Sequence, residues 1–169
     1  MKPKLILLIV LFGVFTTCFG EDSPSWGKWS WLTGDWIGEG TGKQGQGEGN
    51  FSLKPELDKK ILVRRSHIEF PAKEKMPKII HDDLMIVYPD YAGNPSKAIY
   101  FDNEGHTINY EITYTDKAII LTSNKTSNAP AFRLTYTFID PITINTKFEM
   151  SKDGETFTIY LEGTSKKIN

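Results

Sequence analysis

Between residues 132 and 161 the chain alternates apolar and polar side chains with a period of two. Phe132, Leu134, Tyr136 and Phe138 share one face, against Arg133, Thr135 and Thr137 on the other. Ile142, Ile144, Phe148 and Met150 then oppose Thr143, Asn145, Lys147 and Glu149, and Phe157, Ile159 and Leu161 oppose Thr156, Thr158 and Tyr160. A two-residue period belongs to strands with one buried face, so the segment must sit in a sheet that covers only its dry side. Upstream the same reading gives strands at roughly 34–43, 46–54, 60–70, 81–88, 97–102, 106–115 and 117–123, and downstream at 131–139, 142–150 and 156–164. Asn103-Glu104-Gly105, Thr115-Asp116, Asp140-Pro141 and Asp153-Gly154 are turn-forming, with Asp153-Gly154 reading as a two-residue hairpin. Consecutive strands are therefore antiparallel neighbours. A long meander with one apolar face removes its exposed edges most simply by closing on itself. The expected fold is all-β: an up-and-down antiparallel β-barrel of about ten strands. A short helical segment or turn within SPSWGKWSWL precedes it, with Ser23 as N-cap and Pro24 at the first helical position.

Residues 1–20 read as a secretory signal peptide, with Lys2 and Lys4 ahead of an apolar run from Leu5 to Phe15 and cleavage placed after Gly20. The run is too short for the ~20 apolar residues of a membrane span, so no transmembrane segment is expected in the mature protein. The chain is read as exported, periplasmic or secreted; acylation of Cys18, which would make it an anchored lipoprotein, is the alternative. Cys18 is the only cysteine, so the mature part can hold no disulfide and no thiolate site. About 150 residues then remain, 21–169, enough for a single domain around one core. Basic and acidic residues number 20 and 21, a balance that gives no footprint for nucleic acid or an anionic membrane.

The stretch "WLTGDWIGEGTGKQGQGEGNF", residues 31–51, sets large and small side chains next to each other. Gly34, Gly38, Gly40 and Gly42 share the face of Trp36 at even spacing, which suits a first strand that bends and passes close to its neighbours. Trp36 is expected to plug one end of the barrel, with room above it. Gly34-Asp35-Trp36, preceded by Trp29 and Trp31, resembles the Gly-x-Trp opening of lipocalins and related calycin barrels. The longer Gly34-Asp35-Trp36-Ile37-Gly38-Glu39-Gly40 is similar to the opening of nitrobindin-like haem-binding barrels, ten-stranded relatives of the fatty-acid-binding proteins, and of other exported bacterial barrels of this type. The resemblance implies a ligand cavity inside the barrel. It also implies a haem histidine in the C-terminal strands, whereas no histidine follows His106 here. Where lipocalins stack an arginine on the tryptophan, this chain offers Lys166 and Lys167.

Several side chains are candidates for chemistry. Arg65, His67 and Glu69 alternate on one strand, and His81 and Asp83 share a face of the next. If the hairpin between them brings His67, Glu69, His81 and Asp83 together, the set suits zinc or another divalent ion; the other reading is a rim of outward salt bridges. Arg64 alternates with Leu62, Ser66, Ile68 and Phe70, a pattern that leaves both strand faces open; if it points inward it needs an anion or a carboxylate partner. Two readings stay open: a ligand carboxylate held with Tyr110 or Tyr136, as in fatty-acid-binding barrels, or an internal ion pair. Tyr100, Asp102 and His106 meet at one hairpin, with Ile108, Tyr110, Ile112 and Tyr114 following on a mixed aromatic face that suits either a cavity or buried hydroxyls satisfied by neighbours. His106 reads as a turn residue or as the replacement for a haem histidine. Asn50-Phe51-Ser52 and Asn124-Lys125-Thr126 match glycosylation acceptors.

No nucleophile elbow, metalloprotease pair or phosphate loop occurs. The expectation is an exported carrier or sensor that holds a small apolar or amphipathic ligand, lined by Trp36, Tyr110, Tyr114, Tyr136 and Phe148 and anchored by Arg64, with no cofactor. A haem- or metal-binding barrel with redox or isomerase activity, and a solid, non-catalytic envelope barrel, are the alternatives.

Overall fold

The computed structural model of the chain describes residues 26–39, 48–72 and 77–168. The leader with Cys18, the Ser23-Pro24 start, Gly40 and Gly42, and residues 73–76 lie outside these. Ten strands follow a single 3₁₀ turn at Gly27–Trp29: β1 (Gly34–Glu39), β2 (Glu48–Glu56), β3 (Ile61–Phe70), β4 (Ile79–Pro89), β5 (Pro95–Asp102), β6 (Thr107–Tyr114), β7 (Ala118–Thr122), β8 (Ala131–Asp140), β9 (Thr143–Ser151) and β10 (Thr158–Ile168). Each strand pairs antiparallel with its neighbour in sequence, and β1 also pairs with β10, Asp35 opposite Ile168, so the sheet closes into a barrel with no free edge. No helix among the described residues is long and apolar enough to cross a membrane.

The alternation seen in the sequence decides which side chains fill the barrel. Tyr136 faces Thr146, Leu134 faces Phe148 and Phe138 faces Ile144 across β8 and β9, all on the inner side. Arg133 and Glu149 face each other on the outer side and join through two hydrogen bonds, at 2.8 and 2.9 Å. Two connections depart from expectation. Asp153-Gly154 is part of a longer loop from Lys152 to Phe157, because the Asp153 carboxylate accepts the amides of Glu155 and Thr156 and holds them out of the ladder. Strand β10 therefore starts late, and a bulge at Tyr160 shifts its register: Ile159 stands opposite Glu149, while Leu161 stands opposite Phe148 inside. Phe157 and Ile159 accordingly leave the apolar face on which the sequence set them, Phe157 lying under the Arg133 guanidinium at 4.0 Å and Ile159 remaining 52% exposed. The β2–β3 turn is the second departure. Leu57, Asp58 and Lys59 all hold positive φ, of 49°, 52° and 65°, without a glycine among them.

One end of the barrel is stoppered by the tryptophans before and within β1. The Trp26 indole N–H donates to the Lys59 carbonyl at 2.7 Å, that of Trp29 to the Tyr114 hydroxyl at 2.8 Å, and that of Trp36 to the Leu32 carbonyl at 2.8 Å. The Trp31 ring sets its edge against Phe138, 5.7 Å between centroids. The three bonded indoles thus find a partner for their one donor while their apolar bodies are covered, which is how tryptophan is accommodated in an interior. Trp36 is fully buried and stacks on Phe51 at 6.1 Å. Its other side carries the Lys167 ammonium, 5.2 Å from the ring centroid. That is the place the lipocalin resemblance assigns to a basic residue, filled here by Lys167. Gly34 is required at this corner: its φ is +128°, and a Cβ there would lie 2.8 Å from Lys167 Cε.

Candidate functional site

Above the tryptophan stopper the interior is polar on one side. β3 delivers Arg64 and β4 delivers Asp83 to neighbouring inward positions, and the two side chains form an ion pair, Arg64 Nη1 to Asp83 Oδ1. Arg64 is 8% exposed and the Asp83 side chain 4%. The guanidinium also lies over Phe51, 5.0 Å from its centroid. Burial opposes the charge on Arg64, but Asp83 and the surrounding Tyr136, Tyr100 and Tyr110 outweigh it, so its pKa stands above the ordinary value and the cation is secure. Burial acts on the tyrosines in the opposite sense: it pushes Tyr136 up to about 12 against the pull of Arg64, and raises Tyr110 and Tyr100 as well. All three phenols are neutral donors at physiological pH.

An interior pocket of about 120 Å³ adjoins this pair. Five neighbouring strands form it, β3, β2, β1, β10 and β9. Phe51 and Arg64 contribute from one side and Leu161 and Thr146 from the other, with Ile68 adding apolar surface and Ser66 and Ser165 adding hydroxyls. Space exists because Gly38, Gly49 and Gly163 leave no side chains there. Gly49 cannot be otherwise, since a Cβ would fall 2.7 Å from the His67 carbonyl. Three buried side-chain atoms among the described residues have no hydrogen-bond partner: Arg64 Nε, Tyr136 Oη and Thr146 Oγ1. Arg64 and Thr146 both line the pocket, and Tyr136 is directly across the sheet from Thr146. Each of these three atoms has almost no accessible surface, so they stand behind the pocket wall rather than open to it.

The candidate residues distribute unevenly around this pocket. Arg64 lines it, and Tyr136 presents its unpartnered hydroxyl beside the guanidinium. Trp36 is one ring removed, behind Phe51. Tyr110 is buried in the core without reaching the lining. Phe148 faces inward but is stacked on Phe132 at 5.7 Å with Tyr160 at its edge. Tyr114 belongs to the stopper: its hydroxyl accepts from Trp29 and donates to the Pro95 carbonyl, and its ring borders an outer cleft beside Lys28. Phe51, Thr146, Leu161 and Ser165 also line the pocket and were not among the candidate binding residues. The one signal for Thr146 was its even spacing with Ile144 and Phe148.

His67, Glu69, His81 and Asp83 are not brought together as a metal site. In the β3–β4 hairpin Ser66 pairs with Asp83 and His67 with Asp82, so His67 and Glu69 face outward while His81 and Asp83 face inward. His67 binds Asp82 at 2.6 Å and approaches Glu69 at 3.4 Å, and Glu69 in turn pairs with Lys78 at 2.7 Å. His81 lies 3.0 Å from the Tyr100 hydroxyl, 3.1 Å from Glu104 and 3.9 Å from Asp83. His106 does meet Asp102, at 2.9 Å, and Asp102 meets Tyr100 at 3.3 Å, but the His106 ring is 61% exposed at the β5–β6 turn. All three histidines are thus engaged by carboxylates, and among the described residues no three His, Cys, Asp or Glu side chains converge as a metal site. The interior pair Arg64–Asp83 is the second of the two sequence readings for that arginine. In comparison with known proteins, no family model and no curated sequence matches the chain.

Proposed function

We propose that the chain is an exported binding protein whose barrel holds a small, largely apolar molecule with one polar group, the polar group meeting Arg64 and Thr146. The observation that carries this reading is the half-open pocket of about 120 Å³ walled by Phe51, Ile68 and Leu161 and bordered by the buried Arg64. A polar group on the ligand that meets the accessible part of this arginine sets its orientation. The rest of the affinity comes from apolar burial against Phe51, Ile68 and Leu161, at about 25 cal/mol per Å². In size the pocket is close to the ~150 Å³ cavity that admits benzene, so the occupant is a single ring or a short branched chain rather than a long fatty acid. Export follows from the leader, and the calycin-type reading from the Gly34-Asp35-Trp36 opening joined to a closed ten-stranded barrel. A carrier or sensor role fits a pocket that has no nucleophile among its lining residues beyond ordinary hydroxyls.

Native mass spectrometry of the purified protein tests the reading, with an Arg64→Met variant in parallel. A bound small molecule is expected on the unaltered protein, with its occupancy reduced at least about tenfold in the variant, the loss of one charge-assisted hydrogen bond. If neither a co-purified molecule nor an added single-ring compound binds, the orphan groups are served by water and the barrel is a structural protein.

A further inference from the structure

We propose that Asp83 makes this pocket selective for an uncharged hydrogen-bond acceptor, such as the carbonyl of an aromatic amide or aldehyde, over a carboxylate. The inference rests on the binding role proposed above and assigns the chemical class of the ligand and the residue that decides it. In the usual arrangement of an arginine inside a lipid-binding barrel, the cation is free to receive a carboxylate. Here the cation is already matched. Asp83 pairs with Arg64 through Nη1, is itself almost wholly buried, and is not among the residues lining the pocket. It neutralises a guanidinium that borders the pocket without itself reaching the lining.

No second cation is among the described residues that line the pocket, and one carboxylate, Glu162, lines it at the exposed side. Tyr100, Tyr110 and Tyr136 are neutral, since burial holds their protons on. His81 is a further basic group near Asp83, at 3.9 Å, and it is balanced by Glu104 at 3.1 Å. A ligand carboxylate would therefore enter an interior with no net positive charge, shed its water, and sit near the Asp83 charge across a single guanidinium; an ion removed from water is stabilised only by an unshared partner. A carbonyl oxygen loses far less on leaving water and needs no counter-charge. The guanidinium charge, already committed to Asp83, thus leaves no unshared positive charge to hold an anion.

Three single-ring probes of similar size decide the matter: toluene, benzamide and benzoate, titrated into the purified protein near neutral pH and followed by tryptophan fluorescence and calorimetry. Benzamide is expected to bind at least about tenfold more tightly than either of the others. In Asp83→Asn the guanidinium is uncompensated, and the benzoate-to-benzamide affinity ratio is expected to rise by at least about tenfold. A double variant, Arg64→Met with Asp83→Leu, removes both charges, a replacement that folds are commonly able to absorb; there benzamide is expected to lose its advantage over toluene. Benzoate binding as tightly as benzamide to the unaltered protein overturns the inference and leaves the binding role intact, and that comparison needs no variant. Benzamide keeping its advantage in the double variant overturns the inference equally. Failure of all three probes to bind overturns the binding role itself.

Discussion

His67 carries the simplest prediction that a single side chain offers. Its ring binds Asp82 and, more distantly, Glu69 on the outer face of β3, and these hydrogen bonds raise its pKa above the ordinary value of about 6.5. A raised histidine pKa means the protonated form is favoured in the folded state, so its contribution to stability is complete below about pH 6.5 and is lost as pH rises through the folded value. NMR titration of the imidazole should show the elevated midpoint, and Asp82→Asn should bring it down; a midpoint indifferent to Asp82 would refute the pairing. The same residue shows what a sequence hides. The sequence pattern around Arg64, which alternates with Leu62, Ser66 and Ile68, left its face open, and whether His67 meets His81 depends on the register of the next strand. One residue of register moves every side chain of a strand to the opposite face. Between Phe70 and Ile79 the sequence carries no tight-turn signal that would indicate this register.

At the scale of the element, the β2–β3 turn concentrates backbone strain. Leu57 adopts a left-handed conformation that costs a branched L-residue about 1–2 kcal/mol, and its side chain gains nothing in return, being 71% exposed. Leu57→Gly should raise stability by about 1 kcal/mol, seen as a higher urea midpoint with unchanged slope. The turn survives in its native form because Trp26 donates to the Lys59 carbonyl and Lys60 N–H to the Leu57 carbonyl, tying it to the stopper from outside. The stopper itself was legible in part. The density of Trp26, Trp29, Trp31 and Trp36 marked a large apolar feature at the chain's start, while the partners of the Trp26 and Trp29 indoles lay far away in sequence. Strand β10 was the least legible element: Phe157, Ile159 and Leu161 read as one face, and the bulge at Tyr160 that separates them arises from Asp153 capturing two amides outside the ladder.

For the molecule as a whole, carboxylates held by hydrogen bonds and ion pairs, Asp153 most strongly, set the response to acid. Arg133 holds Glu149 below the ordinary glutamate range. Burial would lift Asp102, but the backbone N–H and imidazole of His106 and the Glu104 amide overcome it and hold Asp102 low. Depressed carboxylates stabilise the fold fully above the unfolded values near pH 4, and that stability drains away as pH falls through the folded values. Urea unfolding at pH 3 should therefore give a lower midpoint than at pH 7. Glu149→Gln should narrow the difference while costing about 1.5–3 kcal/mol at pH 7, the range for a hydrogen bond to a charged group. A pH-independent midpoint would contradict this assignment. The closed ten-stranded form was legible because alternation and turn chemistry point the same way along most of the chain. The pocket was not, because its space comes from Gly38, Gly49 and Gly163 on three strands that only the closed barrel brings together.

The pairing of β1 with β10 gives the barrel a timing as well as a shape. Asp35 must find Ile168 across nearly the full length of the polypeptide, and Trp36 must wait for the Lys167 ammonium that caps it. Such a distant meeting carries a large loop-closure cost and makes folding slow. Until the last strand zips against the first, the growing sheet has two raw margins and a half-covered indole. That interval is when an unescorted chain is open to aggregation.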